Sequence, residues 1–343
     1  MKELSKNVKK STPFKKPHNE RALLILLQSR DLDLLQGLLE SRVMTAAHVA
    51  TLYFDGKKEA TKKRLQKLKA DGLISERARR VNEPAALFLT RKAFSVLRDN
   101  GVLARYPALA LSSLEKRSHV SDLTLHHELE VMDVKAAFHT AIGKTSGFTV
   151  EEFSTWPVLY QFEAFRPGYN RKEVPVKPDG FIRIHETTAD GHVDELTFFL
   201  EVDRSSETQE PLTLKSGCYF NYYKSGGFAE RNGASRSDYK KYPFRVLIVL
   251  KNTERRNNLA ERLLQINPPV LTHACLSTFD EVMTNPLGNI WISPRDYRDA
   301  TIGTPFDPER RRRTRVYRRQ TAREQFVDQN VKRHCILDPD ATI

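Results

Sequence analysis

The run "FRVLIVL" at residues 244–250 constrains the fold of this chain more than any other segment. Apolar side chains follow one another there with little alternation, which is typical of a central strand covered on both faces by helices. Helical patterns flank the run, at 211–223 before it and 254–266 after it. Further strand-like segments are 148–153, 177–184, 196–202 and 272–278. The resulting order αβββαβαβ, from residue 120 onward, predicts an α/β domain on a mixed sheet.

The length of 343 residues allows two domains, each with its own core. We expect a basic flexible arm at 1–19, a helical domain at 20–110, the sheet domain at 120–300 and an arginine-rich tail at 301–343. The longest apolar run, "ALLILL", is far shorter than the roughly 20 residues of a membrane span. The three cysteines lie far apart, which argues against structural zinc and disulfides. We therefore expect a cytoplasmic protein, associated with nucleoid or plasmid, with no membrane partner.

The net charge of +13 favours a polyanionic partner, because charge of this size attracts nucleic acid over a distance and releases its counterions. The positive charge is clustered. Six lysines lie within residues 1–19 against one acid, a second group is "KKEATKKRLQKLKADG", and eight arginines lie within 310–323 with no acid. Three such clusters indicate phosphate contact more than they indicate solvated surface. Double-stranded DNA is the predicted partner.

The front part has the element order of a winged helix-turn-helix. Three helical segments, the second with Thr45 as its predicted N-cap, precede the strand-like "LISERAR" and "ALFLT". The third helix should bury Ala60 or Thr61, Leu65 and Leu68, end at Gly72, and present its charged side to a DNA groove. The alternative is a three-helix fold that contacts protein. The predicted DNA-binding residues of this helix, the wing and the tail are Lys57, Lys58, Lys62, Lys63, Gln66, Lys69, Arg77, Arg79, Arg80, Arg310, Arg311, Arg312 and Arg313.

Two neighbouring strand segments of the second domain each carry a carboxylate. Asp179 lies in "KPDGFIRI", and Glu201 lies in "LTFFLEVDR". A carboxylate in a half-buried strand loses hydration and needs a partner, a hydrogen-bond network or a metal ion. Two of them on adjoining strands suggest one shared cation.

Pro178-Asp179 followed by Glu201, on this order of elements, resembles the PD-(D/E)xK nuclease superfamily. The resemblance implies that Asp179 and Glu201 hold Mg²⁺ or Mn²⁺ and that DNA is cut. In the superfamily a lysine follows the Glu by two positions, whereas this chain has Asp203, which shares a strand face with Glu201 and is a third candidate metal ligand. Candidate catalytic lysines are Lys215, in a "KSGCY" segment similar to the Gln-x-x-x-Tyr helix of one superfamily branch, and Lys177. Possible supporting residues are His127, Glu128 and Tyr219.

Taken together, residues 30–250 are similar to the plasmid replication-relaxation family. The most specific match is the block "KPDG...FFLEVDRSSE...LK...Y", joined to the front helices and to "HELEVMD". Membership implies a role in plasmid or mobile-element replication, relaxation or transfer, with a relaxase or replication initiator as a possible partner and a homodimer as a possible state. One hypothesis is a Mg²⁺-dependent endonuclease. The alternative is a non-catalytic DNA-binding accessory or regulatory factor on a degenerate nuclease fold.

Overall fold

The computed structural model describes residues 26–77, 83–106, 112–113, 116, 120–168, 172–203, 208–302 and 327–337. It has mixed α/β architecture, which confirms the predicted class. A small helical unit comes first along the chain, and a sheet unit follows it. The predicted arm at 1–19, Arg79, Arg80 and the arginine run lie outside the described residues.

The front unit combines four helices with a small antiparallel sheet. Its helices are α1 (Ser29–Ser41), α2 (Ala46–Tyr53), α3 (Lys58–Ala70) and α4 (Arg91–Asp99). Its strands are β1 (Met44–Thr45), β2 (Ile74–Glu76) and β3 (Ala86–Leu89), in the order β1-β3-β2. A 3₁₀ turn, Val102–Arg105, closes the unit. Strand β1 has only two residues, too few for the sequence to reveal.

Local signals set the helix limits of the front unit. The Thr45 hydroxyl accepts from the His48 amide, as predicted for an N-cap. Helix α3 buries Thr61, Leu65 and Leu68 and leaves Ala60 exposed, which resolves the predicted alternative. Beyond α3, Gly72 has φ +69°, a backbone conformation that glycine adopts without a steric penalty.

The second unit is a five-stranded mixed sheet with helices on both faces. Its strands follow the order β10-β9-β8-β7-β4, with the β7 pairs antiparallel and the β8-β9 and β9-β10 pairs parallel. The strands are β4 (Phe148–Ser154), β7 (Gly180–Thr187), β8 (Val193–Asp203), β9 (Arg245–Leu250) and β10 (Ala274–Thr278). The run at 244–250 thus forms β9, buried between β8 and β10, as its apolar character requires.

Helices cover both faces of this sheet. Helix α5 (Asp122–Ile142) packs on one face, while α7 (Glu210–Lys224) and α9 (Thr253–Gln265) pack on the other, whose core is rich in aromatic rings. A two-stranded hairpin that sequence reasoning missed, β5 (Phe162–Phe165) and β6 (Glu173–Val176), lies between β4 and β7. Shorter helical segments of the described chain include α6 (Pro157–Tyr160), α8 (Gly227–Arg231), the 3₁₀ segment Arg236–Lys241, α10 (Phe279–Thr284) and α11 (Pro294–Ile302).

Helix α5 belongs to both units. Its Met132 packs in the front core beside Trp156, whereas Val134 and Phe138 pack under the sheet. Polar contacts reinforce the junction, since Arg42 binds Glu128 at 2.7 Å and Nε2 of His48 lies 2.8 Å from Oδ1 of Asp133. The front core and the core under the sheet therefore share one helix.

Part of the predicted C-terminal tail packs on the sheet unit instead. Within 327–337, Val327 and Val331 enter the aromatic core, and Ile336 enters the core on the opposite face. The backbones of Trp291 and His334 form a bridge. A few well-spaced apolar side chains are enough to anchor this segment, although its composition resembles that of a tail. Among the described helices, none has the length and apolar character needed to cross a membrane.

Candidate functional site

Asp179 and Glu201 lie near each other at one end of the neighbouring strands β7 and β8. The antiparallel register of β7 and β8 ends with the pair Gly180 and Leu200, so Asp179 lies just before β7 and Glu201 follows Leu200 on β8. The Asp179 amide donates to the Leu200 carbonyl at 3.0 Å, and this bond holds Asp179 against β8.

Asp179 is oriented from two sides. Its Oδ2 accepts from the Val202 amide at 2.9 Å, and its Oδ1 lies 3.2 Å from Nε2 of His127 on α5. Burial alone would raise the pKa of Asp179, but Lys215, His127 and the Val202 amide together lower that pKa. Burial would lower the pKa of His127, but the contact with Asp179 raises it overall. Asp179 is therefore a fixed, ionised carboxylate.

Glu201 is the more buried partner, with 4% of its surface exposed. Its Oε2 accepts from Nζ of Lys215 at 2.6 Å, and its Oε1 accepts from the Tyr219 hydroxyl at 2.5 Å. The pKa of Glu201 is raised to about 7, because burial and the nearby Asp179 carboxylate outweigh the opposing effects of Lys215 and Tyr219. Desolvation would lower the pKa of Lys215, but Glu201 and Asp179 raise it, so that the amine keeps its charge.

The one-turn spacing of Lys215 and Tyr219 on α7 explains why both reach the same carboxylate. Burial and the nearby Glu201 raise the pKa of the Tyr219 hydroxyl well above its ordinary value, so it acts as a hydrogen-bond donor. Of the two candidate lysines, Lys215 contacts Glu201, whereas Lys177 is exposed. We call Asp179, Glu201, Lys215, His127 and Tyr219 the carboxylate cluster.

Two residues that the sequence associated with this site have other partners. Asp203 is bound by Arg255, whose Nε and Nη2 donate to its two oxygens at 2.7 and 3.1 Å. Glu128 turns to Arg42 of the front unit. Within the part of the chain that the structure describes, no three His, Cys, Asp or Glu side chains gather as a metal site. The predicted triple set of metal ligands is therefore not assembled around Asp203.

The basic residues of α3 form an exposed surface. Lys58, Lys62, Lys63 and Gln66 point to solvent, as predicted, and Lys57 pairs with Asp55 at 3.1 Å. Two other predicted DNA contacts are engaged within the protein. Lys69 binds Glu76, and Arg77 binds Asp122 and the carbonyl of Val120, which ties the β2 end to the start of α5.

Sequence reasoning did not single out Arg255 or Gln209. Gln209, which precedes α7, donates from Nε2 to the Arg255 carbonyl at 2.6 Å. Arg255 lies 52 positions from Asp203 along the chain, and no short motif signals that separation. The unexpected carboxylate at 203 was the available signal, because a buried acid implies a cation somewhere in the fold.

The sequence profile of the replication-relaxation family matches residues 35–236. The matched span includes most of the front unit and all five members of the carboxylate cluster, and it ends before β9 and α9. Neither a curated protein nor a solved structure matches the chain.

Proposed function

The chain belongs to the replication-relaxation family, and on that premise we propose that it binds DNA during plasmid or mobile-element replication, relaxation or transfer and cuts it at the carboxylate cluster. The observation that carries this proposal is the meeting of Asp179 and Glu201 at β8, where Asp179 accepts from the Val202 amide and Glu201 accepts from Lys215. Duplex DNA is the proposed substrate, and a relaxase or replication initiator is a possible protein partner.

The front unit is proposed to be a winged helix-turn-helix. Its first three helices are followed by the β2-β3 pair, and β1 adds the third strand that such a unit can carry. Helix α3 would lie in the major groove, because its exposed side is rich in lysine while its buried side faces the core. This placement makes Lys58, Lys62 and Lys63 the principal phosphate or base contacts.

The second unit is proposed to be a PD-(D/E)xK nuclease domain. In support, a helix, an antiparallel three-strand meander, a second helix and a parallel strand occur in the order αβββαβ, with the β5-β6 hairpin as an insertion. Glu201 lies on the third strand of the meander, and Asp179 directly precedes the second strand. Lys215 would supply the positive charge that the strand lacks at position 203.

The donor set fits a hard divalent cation such as Mg²⁺ or Mn²⁺. Two neighbouring carboxylates offer oxygen ligands only, and each carboxylate oxygen can accept more than one partner. Asp179 and Glu201 would hold the ion, which when bound would favour water activation and stabilise charge on the phosphate. The Val202 amide and His127 keep Asp179 in place, Tyr219 does so for Glu201, and Lys215 offers positive charge to the developing phosphate charge.

A second function has its own support. The Glu-x-Asp strand and the Asp203–Arg255 pair differ from the nuclease pattern, and they favour an accessory factor that binds DNA without cutting it. Such a protein would keep the winged helix as its DNA contact. The sheet unit would then serve as a platform for a partner protein.

The deciding experiment is incubation with supercoiled plasmid in Mg²⁺ or Mn²⁺, for the native chain and for Asp179→Asn, Glu201→Gln and Lys215→Met. An endonuclease converts the plasmid to nicked or linear forms. We expect the two carboxylate variants to fall to background and Lys215→Met to lose at least about 100-fold.

Asp190→Asn is the control, because Asp190 is an exposed loop acid. Cleavage that survives loss of both cluster acids would exclude this site. Intact DNA binding by a native protein that never cuts, in either metal, would favour the accessory factor.

A further inference from the structure

At position 203, where the nuclease pattern has lysine, this chain has Asp203, and its partner is the guanidinium of Arg255. Asp203 lies two residues after Glu201 on the same face of β8, about 6.6 Å along the strand. Arg255 donates two hydrogen bonds to the Asp203 carboxylate. A guanidinium therefore lies beside the carboxylate cluster although the strand itself carries no lysine.

The sheet topology places Asp203 and Arg255 at the carboxyl ends of strands β8 and β9. Strands β8 and β9 are parallel, and the register pairs Asp203 with Leu250 at their carboxyl ends. Helix α9 begins three residues later, with Arg255 in its first turn. In open α/β sheets, ligands bind outside the carboxyl ends of the strands. Arg255 thus lies at the carboxyl ends of these strands, where a ligand of this sheet would bind.

The two oxygens of Asp203 orient the Arg255 guanidinium, and a second contact fixes the Arg255 backbone. The buried Gln209 side chain binds the Arg255 carbonyl at 2.6 Å, and Gln209 directly precedes α7, which carries Lys215. Strand β8, α7 and α9 are therefore linked through this one residue. About 21% of the Arg255 side chain remains exposed, so a solute can reach it. A rigid cation at a site loses less freedom on binding than a mobile one.

We propose that Arg255 binds a phosphate of the DNA strand that enters the carboxylate cluster, and that Asp203 is a positioning residue for Arg255 instead of a metal ligand. This inference rests on the proposed DNA-cutting function. Arginine suits the task because its planar fork matches phosphate oxygens and keeps its charge. Lys215 and Arg255, from two different helices, then flank β8 with positive charge in place of the single strand lysine.

The test compares Arg255→Gln, Arg255→Lys and Asp203→Asn with the native chain. DNA affinity is measured by fluorescence anisotropy over a range of salt concentrations in Ca²⁺, and nicking is measured in Mg²⁺. Arg262→Gln is the matched control, since Arg262 is an exposed arginine of the same helix. We expect Arg255→Gln to weaken binding about 10-fold and to reduce the salt slope by about 1, and Arg255→Lys to keep most of that slope.

The Asp203→Asn variant tests whether DNA affinity rises or falls when the charge of Asp203 is removed. The substitution makes the protein more positive by one charge, so a purely electrostatic effect would tighten DNA binding. Loss of positioning instead slows nicking about 10-fold and does not tighten binding. Manganese affinity, measured by calorimetry without DNA, should stay native in this variant, whereas a metal ligand at 203 would make it fall.

Several outcomes would overturn the inference. One is that Arg255→Gln and Arg262→Gln have the same slope of log DNA affinity against log salt concentration. If Arg255→Gln also lowers the thermal stability, the Asp203–Arg255 pair is then only structural. Another is loss of manganese binding in Asp203→Asn. If the native chain binds no DNA, the proposed function fails as well. If the native chain binds DNA and the α3 lysines matter while Arg255 does not, only this inference fails.

Discussion

The Asp179 carboxylate shows how single residues prepare this site. The Val202 amide fixes one oxygen through the β8 backbone, and the His127 ring contacts the other from α5. Backbone contacts of this kind survive most substitutions, whereas the His127 contact depends on one side chain. The two supports can therefore be separated by mutation.

At this scale we predict that His127→Ala slows nicking about 10- to 100-fold, the usual effect of removing a partner that orients a metal-binding side chain. DNA affinity in Ca²⁺ should change little, because His127 does not belong to the basic surface of α3. The neighbouring His126 is exposed and provides the control as His126→Ala. Equal rates for the two variants would show that His127 does not orient Asp179.

The resemblance to the nuclease superfamily pointed to Asp179, Glu201, Lys215 and Tyr219. Strand alternation and helical spacing, which are local rules, predicted which of these side chains share a face. The same rules assigned Asp203 to the face of Glu201. They did not reveal Arg255, since its contact with Asp203 depends on how β8 and α9 meet in space. The chemistry of a buried acid could be anticipated, but the identity of its partner required the fold.

Among the elements, α3 carries the DNA hypothesis. Its buried residues Thr61, Leu65 and Leu68 fix its rotation, and a buried contact of Arg64 Nε with Asp31 Oδ1 at 2.7 Å locks it to α1. The lysines are consequently presented on one outer surface. Neutralising them should leave the packing of the helix intact.

We predict that the triple variant Lys58→Gln, Lys62→Gln, Lys63→Gln lowers the slope of log affinity against log salt by about 2.7, if each lysine neutralises one phosphate. Anisotropy with a short duplex measures the slope. A control variant carries three equivalent changes at Lys224, Lys240 and Lys241, exposed lysines of the sheet unit, and has the same net charge. Matching slopes in the two triple variants would move the DNA surface away from α3.

Helix α5 illustrates what an element-level pattern can miss. The pattern of residues 122–142 predicts a helix whose apolar stripe is Leu125, Leu129, Met132 and Ala136. Helix α5 has these limits and buries Met132, but Leu125, Leu129 and Ala136 are only half-buried. The fully buried positions include Met132, Val134 and Phe138, on two sides of the helix. A helix that serves two cores cannot show a single apolar stripe, so periodicity misjudged its contacts.

For the whole molecule, the class, the strand order along the chain and the position of β9 followed from the sequence. The spatial order of strands, the β5-β6 insertion and the docking of 327–337 did not, because they depend on contacts distant in sequence. The docked segment adds a charged network in which Arg256 and Arg333 both bind Asp328. Arg256 is fully buried, so this contact neutralises a charge inside the sheet unit.

Stability of the whole molecule should depend on pH through His273. This side chain is buried among Phe220, Tyr223 and Phe244, and neither ring nitrogen has a hydrogen-bond partner in the described structure. Burial, together with a smaller effect of Arg245, lowers the pKa of His273 to about 3. The folded state therefore holds a neutral ring, while the unfolded chain takes up a proton below its ordinary pKa of 6.5.

The stabilisation is thus complete above pH 6.5 and falls as the pH decreases toward 3. At pH 5 the loss amounts to about 2 kcal/mol, from 1.5 pKa units at about 1.36 kcal/mol each. We predict that His273→Phe, measured by urea unfolding at pH 7 and pH 5, loses about 2 kcal/mol less than the native chain over this interval. His139, whose pKa burial also lowers, is present in both proteins, so its effect cancels. The exposed His192→Gln should retain the native pH dependence, and an unchanged dependence in His273→Phe would show that His273 is not the group responsible.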